Sequence, residues 1–235
     1  MIELEDKMNI TNPDWQMSCR EKLSLIGLLQ CLKPKKVIEL GYHRGGATKW
    51  LSQFAEKLIS VDVNEFVSEA SKKYSNVEPW KCTTGEAINK IKADNLSFDL
   101  AIIDADHSRR GVANDVSGIL PHAEVILMHD SFNPACRRGM LDALESQSSH
   151  AFYLDFIPSI LKRDGLWGGF AIAWKSKYPG AKKELYGEKS SYSAVWWQSS
   201  LHFSSKLLHL KHFLSQIWQN SISKLRIFAG KILGK

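Results

Sequence analysis

The sequence predicts an α/β chain built on a doubly wound, mostly parallel sheet. Two observations carry that expectation. Short apolar runs of strand length recur between residues 37 and 128, each ending on polar residues, and stretches of helical character separate them. Strand alternating with helix predicts parallel strands joined by crossovers, with ligands held beyond the carboxyl ends of the strands.

The first run is Val37, Ile38 and Leu40, carrying Glu39 and turning at Gly41. Gly45 and Gly46 then lead into a helical stretch over 47–54. A strand, a glycine turn and a helix N-terminus together bring backbone N–H groups against a ligand. The spacing is Glu-x-Gly-x-x-x-Gly, and Tyr42 and His43 occupy the place where a dinucleotide site uses a second glycine to approach a pyrophosphate. Such a turn suits an amino-acid carboxylate and a ribose without a diphosphate, which favours S-adenosylmethionine over NAD. The alternative is that the glycines mark a structural turn only.

The second run, 58–63, carries Asp62 near its end, 21 residues after Gly41. That is close to the offset at which an acidic group meets ribose hydroxyls in a nucleotide-binding βαβ unit. A third run, 77–84, ends at Gly85-Glu86, a fourth, 98–103, at Asp104, and a fifth, 125–128, at His129-Asp130. Helical stretches are expected over 65–74, 86–93 and 110–119. Polar residues therefore gather on one rim. Glu39, Gly41, Gly45, Asp62 and Asp104 are candidate cofactor contacts, with Gly85 and Glu86 near the adenine.

At these residues the chain resembles a class I S-adenosylmethionine-dependent methyltransferase. The carriers are the Glu39-Leu40-Gly41 turn with Gly45, Asp62, the segment Asp104-Ala105-Asp106-His107-Ser108, and Met128-His129-Asp130-Ser131. More narrowly it is similar to cephalosporin-hydroxylase-like proteins and metal-dependent macrolide-sugar O-methyltransferases, over about residues 12–175. The resemblance implies a Rossmann-like sheet of seven strands with an antiparallel edge hairpin, for which 151–156 and 169–174 are suitable strands. It implies S-adenosylmethionine as cofactor and a small-molecule hydroxyl as acceptor, a sugar or glycosylated natural product being the favoured class. His107 is implied as the base, acting with Asp104. A divalent cation, magnesium or manganese, is implied at Asp104, His129 and Asp130. Those relatives carry a carboxylate where this chain has His129, and an imidazole weakens the case for magnesium, which prefers oxygen ligands. Whether a metal binds stays open at this point.

The chemistry is consistent with these residue types. Methyl transfer from a sulfonium is an in-line displacement, so the site must position a nucleophile and help remove its proton. A histidine with a pKa near 6.5 suits that task at neutral pH. Two other readings compete: a nicotinamide-dependent oxidoreductase on the same fold, and a non-catalytic methyltransferase-like binding protein. Asp115 is expected on an exposed helix face, and Trp15 either closes over the site or anchors the core.

Composition bounds the rest. A chain of 235 residues, 44% hydrophobic, can bury one good core. Its four cysteines show no paired spacing, so reduced thiols and a cytoplasmic location are expected. No signal-like apolar stretch opens the sequence. After Glu188 there is no acidic residue, and seven basic ones follow. Subtracting those seven from 31 leaves 24 basic residues against 25 acidic, a nearly neutral body that argues against nucleic acid as a partner. The expected organisation is a catalytic domain over 1–195 and a basic amphipathic helical tail over 196–235. In that tail Leu207, Leu210, Leu214, Ile217, Trp218, Ile222, Leu225, Phe228 and Ile232 recur at three- and four-residue steps. Such a stripe suits peripheral membrane contact. The alternatives are packing on the domain or on a second subunit, which would make a homo-oligomer.

Overall fold

Seven strands form one sheet: β1 (Lys36–Leu40), β2 (Lys57–Asp62), β3 (Val77–Lys81), β4 (Phe98–Ile103), β5 (Ala123–His129), β6 (His150–Ile157) and β7 (Phe170–Lys175). Their order is β3-β2-β1-β4-β5-β7-β6. β1 to β5 run parallel, while β7 lies antiparallel to both β5 and β6. The computed structural model describes residues 14–145, 147, 149–157 and 168–175. The predicted tail lies outside the described residues. Among the described residues no helix is long and apolar enough to cross a membrane.

The strands are buried on both faces, as parallel strands must be when helices cover both sides. Val37, Leu58, Leu100, Ile102, Leu127 and Phe170 share one core with Leu25, Ile26 and Leu29 of helix α1 (Cys19–Leu32). Side chains alternate along a strand, so Ile38, Ile59, Ala101 and Ile103 face the other way, and they are as deeply buried. Further helices are α2 (Thr48–Phe54), α3 (Ala70–Lys73), α4 (Thr84–Ala93), α5 (Arg109–Ile119) and α6 (Pro134–Leu144). α5 packs against both α4 and α6. Asparagine, serine and threonine at the N-caps start the helices: Ser18 for α1, Thr83 for α4, Ser108 for α5 and Asn133 for α6.

Strand identities agree with the sequence, but two boundaries move. The third run stops at Lys81, because Thr83 and Glu86 form a reciprocal capping box that starts α4 at Thr84. The helix expected over 65–74 divides into a 3₁₀ turn, Glu65–Glu69, and the single turn of α3. Pro79 sits in β3, the sheet's edge strand, where a missing N–H is tolerated. Between β1 and β4 the strand order reverses, and that switch point fixes where a ligand crevice opens.

Candidate active site

A cavity of about 780 Å³ lies over the carboxyl ends of the parallel strands. Its floor is the turn after β1. Gly41 has φ +101°, a conformation that disfavours side chains, and a Cβ there would run into the Asp104 carbonyl. Its N–H donates to the Val61 carbonyl at 2.9 Å, and the Asp104 N–H donates to the Leu40 carbonyl at 2.8 Å, so the turn is tied to both neighbouring strands. Gly46 lies so close to Trp15 that a Cβ would strike its backbone, which brings residues 14–17 down onto the glycine turn. Trp15 is buried, with its ring 6.2 Å from that of Trp50, and it also lines the cavity. Both readings of Trp15 are therefore present in one residue. Gly45, at φ +77°, is packed against the Tyr42 ring and turns the chain into α2.

Glu39 is buried and accepts from the hydroxyls of Thr48 at 2.5 Å and Ser60 at 2.8 Å. Burial dominates and pushes its carboxyl up to about 8, so it is mostly protonated at neutral pH. Both partners lie on the same oxygen, and the residue still borders the cavity. Asp62 stands at the end of β2. One of its oxygens accepts the His43 N–H at 2.7 Å, and the other accepts the backbone and side-chain amides of Asn64, each at 2.9 Å. These bonds hold the carboxylate on the cavity wall. Beyond β3 the wall is made by Cys82, Thr83 and Thr84. Gly85 and Glu86 do not line it among the described residues. The Glu86 carboxylate instead accepts the Thr83 N–H and hydroxyl, each at 2.8 Å, as the returning half of the α4 cap.

At the opposite end of the cavity three carboxylates and two imidazoles interlock. His107 Nε2 lies 2.9 Å from Asp130 Oδ2 and 3.8 Å from Asp104 Oδ1. His129 Nδ1 lies 3.0 Å from Asp104 Oδ1 and 3.7 Å from Asp130 Oδ1, and its Nε2 lies 3.4 Å from Glu21 Oε1. Asp130 has a left-handed backbone, φ +56°, and accepts the Gly168 N–H at 2.5 Å. Glu21 accepts the next N–H, that of Gly169. The turn into β7 thus fastens two of the three carboxylates.

Charge follows from this geometry. Hydrogen bonds to Asp104 and Asp130 push His107 up to about 10. Burial alone would strip the proton from His129, but the charge of Asp104, the hydrogen bond to it and the Glu21 carboxylate 3.4 Å from Nε2 hold it on. Burial alone would also raise Asp104 and Glu21, yet His129 beside both, and His107 beside Asp104, bring each down to about 2. As it stands, His107 is an acid at neutral pH.

Among the described residues the ligand atoms of Asp104, His107 and Asp130 all lie within 4.8 Å of one another, a spacing that suits one cation. The sequence-based set had His129 in place of His107. His129 lies behind this trio, 8% exposed and held between Asp104 and Glu21. Two carboxylate oxygens and one imidazole nitrogen form a donor set that manganese or iron accepts more readily than magnesium does. Glu21, Thr48 and Ser60 were not among the sequence-based site residues. The Ser18-x-x-Glu21 spacing is readable as a capping box, and the box is present. Asp115, expected exposed, is 2% exposed, because α4 and α6 close over α5 from both sides.

Residues 38–131 match a family model described as a methyltransferase domain. Over that segment the chain is similar to a methyltransferase domain. The matched residues run from the first strand through the His129-Asp130-Ser131 turn and so include most of the crevice, while Trp15, Glu21 and Gly168, which also line it, fall outside the match. Solved structures agree on the methyltransferase fold. An O-methyltransferase from Bacillus cereus in complex with SAH is 17% identical, with 74% of this chain and 88% of that one covered and a TM-score of 0.56. The O-methyltransferase TomG from Streptomyces achromogenes, involved in tomaymycin synthesis and solved with SAM, is 14% identical, with 73% and 86% covered and a TM-score of 0.58. Comparison with curated proteins by sequence found no match.

Proposed function

We propose that this methyltransferase transfers a methyl group from S-adenosylmethionine to a hydroxyl of a small molecule, with a sugar or glycosylated natural product as the acceptor class. The observation that carries the proposal is one cavity of about 780 Å³ bordered at one end by the glycine turn and Asp62 and at the other by the Asp104, His107 and Asp130 group. Such an arrangement seats a nucleoside and a reacting hydroxyl in one crevice. The glycine turn and Asp62 take the cofactor, the carboxylate accepting its ribose hydroxyls. Cys82, Thr83 and Thr84 border the adenine, one step before the expected Gly85 and Glu86. The solved relatives that hold SAH and SAM support the same choice of cofactor.

His107 is the base, and Asp104 and Asp130 hold a divalent cation beside it, which leaves the imidazole lone pair for the proton. When bound, such a cation supplies the charge that acidifies an acceptor hydroxyl and offsets the two carboxylates that retain the His107 proton. Asp130 is kept in place by Gly168, and Asp104 by the strand ladder and His129. We also propose that 196–235 forms a basic amphipathic tail that brings the enzyme to anionic membranes, on the strength of its apolar stripe and its lack of acidic residues.

Calorimetric titration with S-adenosylmethionine tests the cofactor assignment. Asp62→Ala is expected to lose about 1.5–3 kcal/mol of binding, the range for hydrogen bonds to a charged group. Equal affinities for variant and wild type, or no binding by wild type, would reject it. Methylation of a panel of hydroxylated acceptors then separates an enzyme from a binding protein.

A further inference from the structure

Glu21 stands on α1, outside the motifs that define the crevice, yet it borders the cavity and its carboxylate reaches His129. One oxygen, Oε1, accepts the Gly169 N–H and lies 3.4 Å from His129 Nε2. The other, Oε2, accepts the Ser18 N–H at 2.6 Å. The side chain is 1% exposed. The far nitrogen of the same imidazole lies 3.0 Å from Asp104 Oδ1. His129 Nε2 makes no hydrogen bond of good geometry in the described structure, so Glu21 is the group placed to engage it.

We infer that Glu21 is a positioning residue that, through His129, orients Asp104 as a cation ligand. This inference rests on the proposed cation site at Asp104 and Asp130, beside His107. Metal ligands are commonly aimed by an outer layer of carboxylates and imidazoles, and losing such a partner typically weakens metal affinity about 10–100-fold. Here the layer is Glu21 and then His129, and the ligand it aims is Asp104. Neither outer residue needs to touch the ion. Glu21 also ties α1 and the β7 turn to this relay, so a change at residue 21 reaches the site through a buried carboxylate and not through solvent.

The test is calorimetric titration of the full chain with Mn²⁺ alone, alongside thermal melts. Glu21→Ala is expected to bind Mn²⁺ about 10–100-fold more weakly than wild type. Glu21→Gln keeps an oxygen for the Gly169 N–H and is expected to fall between the two. Ser18→Ala removes the hydroxyl half of the cap and leaves the His129 side untouched, so its melting temperature should drop by about 2–4 °C with unchanged Mn²⁺ affinity. Wild-type affinity in both Glu21 variants overturns the inference, as does a Ser18→Ala loss of affinity equal to that of Glu21→Ala. Should Glu21→Ala not fold, the Gln variant alone decides, and wild-type affinity in it overturns the inference. Absence of Mn²⁺ binding by wild type overturns the cation reading itself, a result distinct from wild-type binding that is indifferent to Glu21.

Discussion

His107 has two carboxylates within reach, and that pair decides what it does. With Asp130 at 2.9 Å and Asp104 at 3.8 Å, its proton is held far above the ordinary imidazole range. A base in this position works only once something else engages those carboxylates, which a substrate complex with a cation would do. His107→Ala is therefore expected to lower turnover about 10²–10⁴-fold, the usual worth of positioned proton transfer, while S-adenosylmethionine affinity stays near wild type. Single-turnover assays with a responsive acceptor measure the first and calorimetry the second. A variant that turns over at nearly the wild-type rate would withdraw the base assignment. At this scale the sequence is partly legible. Asp62, Asp104, His107 and Asp130 follow strand ends, and a strand end has a fixed place on the rim, so position along the chain was enough. Thr48, Ser60 and Glu21 were invisible for the converse reason. Their work depends on which helix face meets which strand, and spacing within α1 or α2 does not say that. Ser18-x-x-Glu21 reads as a helix cap, and its second duty toward His129 is performed across 108 residues of sequence.

Among the elements, α5 shows how neighbours override a local reading. Gly118 of α5 lies against Ile88 of α4, and Gly139 of α6 lies against Arg109 and Val112 of α5. Glycines at both contacts let the three helices approach closely, and the squeeze buries Asp115 with its Oδ2 unpartnered. Burial, the largest cause, raises that carboxyl to about 6. An acid raised in the folded state above its unfolded value contributes stability that is fully present below the unfolded pKa, near 4, and is lost as pH rises through about 6. Asp115→Asn abolishes this titration. It is expected to match wild type near pH 4 and to exceed it by about 2 kcal/mol above pH 7, since two pKa units correspond to at most about 2.7 kcal/mol and a buried amide returns part of that. Urea unfolding at pH 4 and 7.5 gives the comparison. A stability difference that does not change with pH would show that Asp115 ionises without penalty. Nothing in the 110–119 pattern announces this burial. A helix between two others keeps no solvent face of normal width, and the sequence records only one helix at a time.

For the whole molecule, the division of charge is the feature that bears on where the enzyme works. The body is nearly neutral, and the positive excess lies after Glu188. Lys206, Lys224, Arg226, Lys231 and Lys235 fall largely outside the stripe that carries Trp218 and Phe228, so a helix over this segment would present one apolar and one basic face. Such a helix lies in the interface of an anionic bilayer, where each basic residue near the surface adds about 1 kcal/mol, and the attraction weakens as salt screens it. A crevice that methylates a small hydroxylated molecule gains from such an address when its acceptor is lipid-linked or made at a membrane. The competing use of the stripe is packing against the body or a second subunit, and salt separates the two, since buried apolar contact does not weaken with ionic strength. Co-sedimentation with anionic vesicles is therefore expected for the full chain at low salt, to decline at high salt, and to be absent for a chain ending at Gln198. A full chain that ignores the vesicles, or a shortened one that still binds them, would assign the tail to the protein itself.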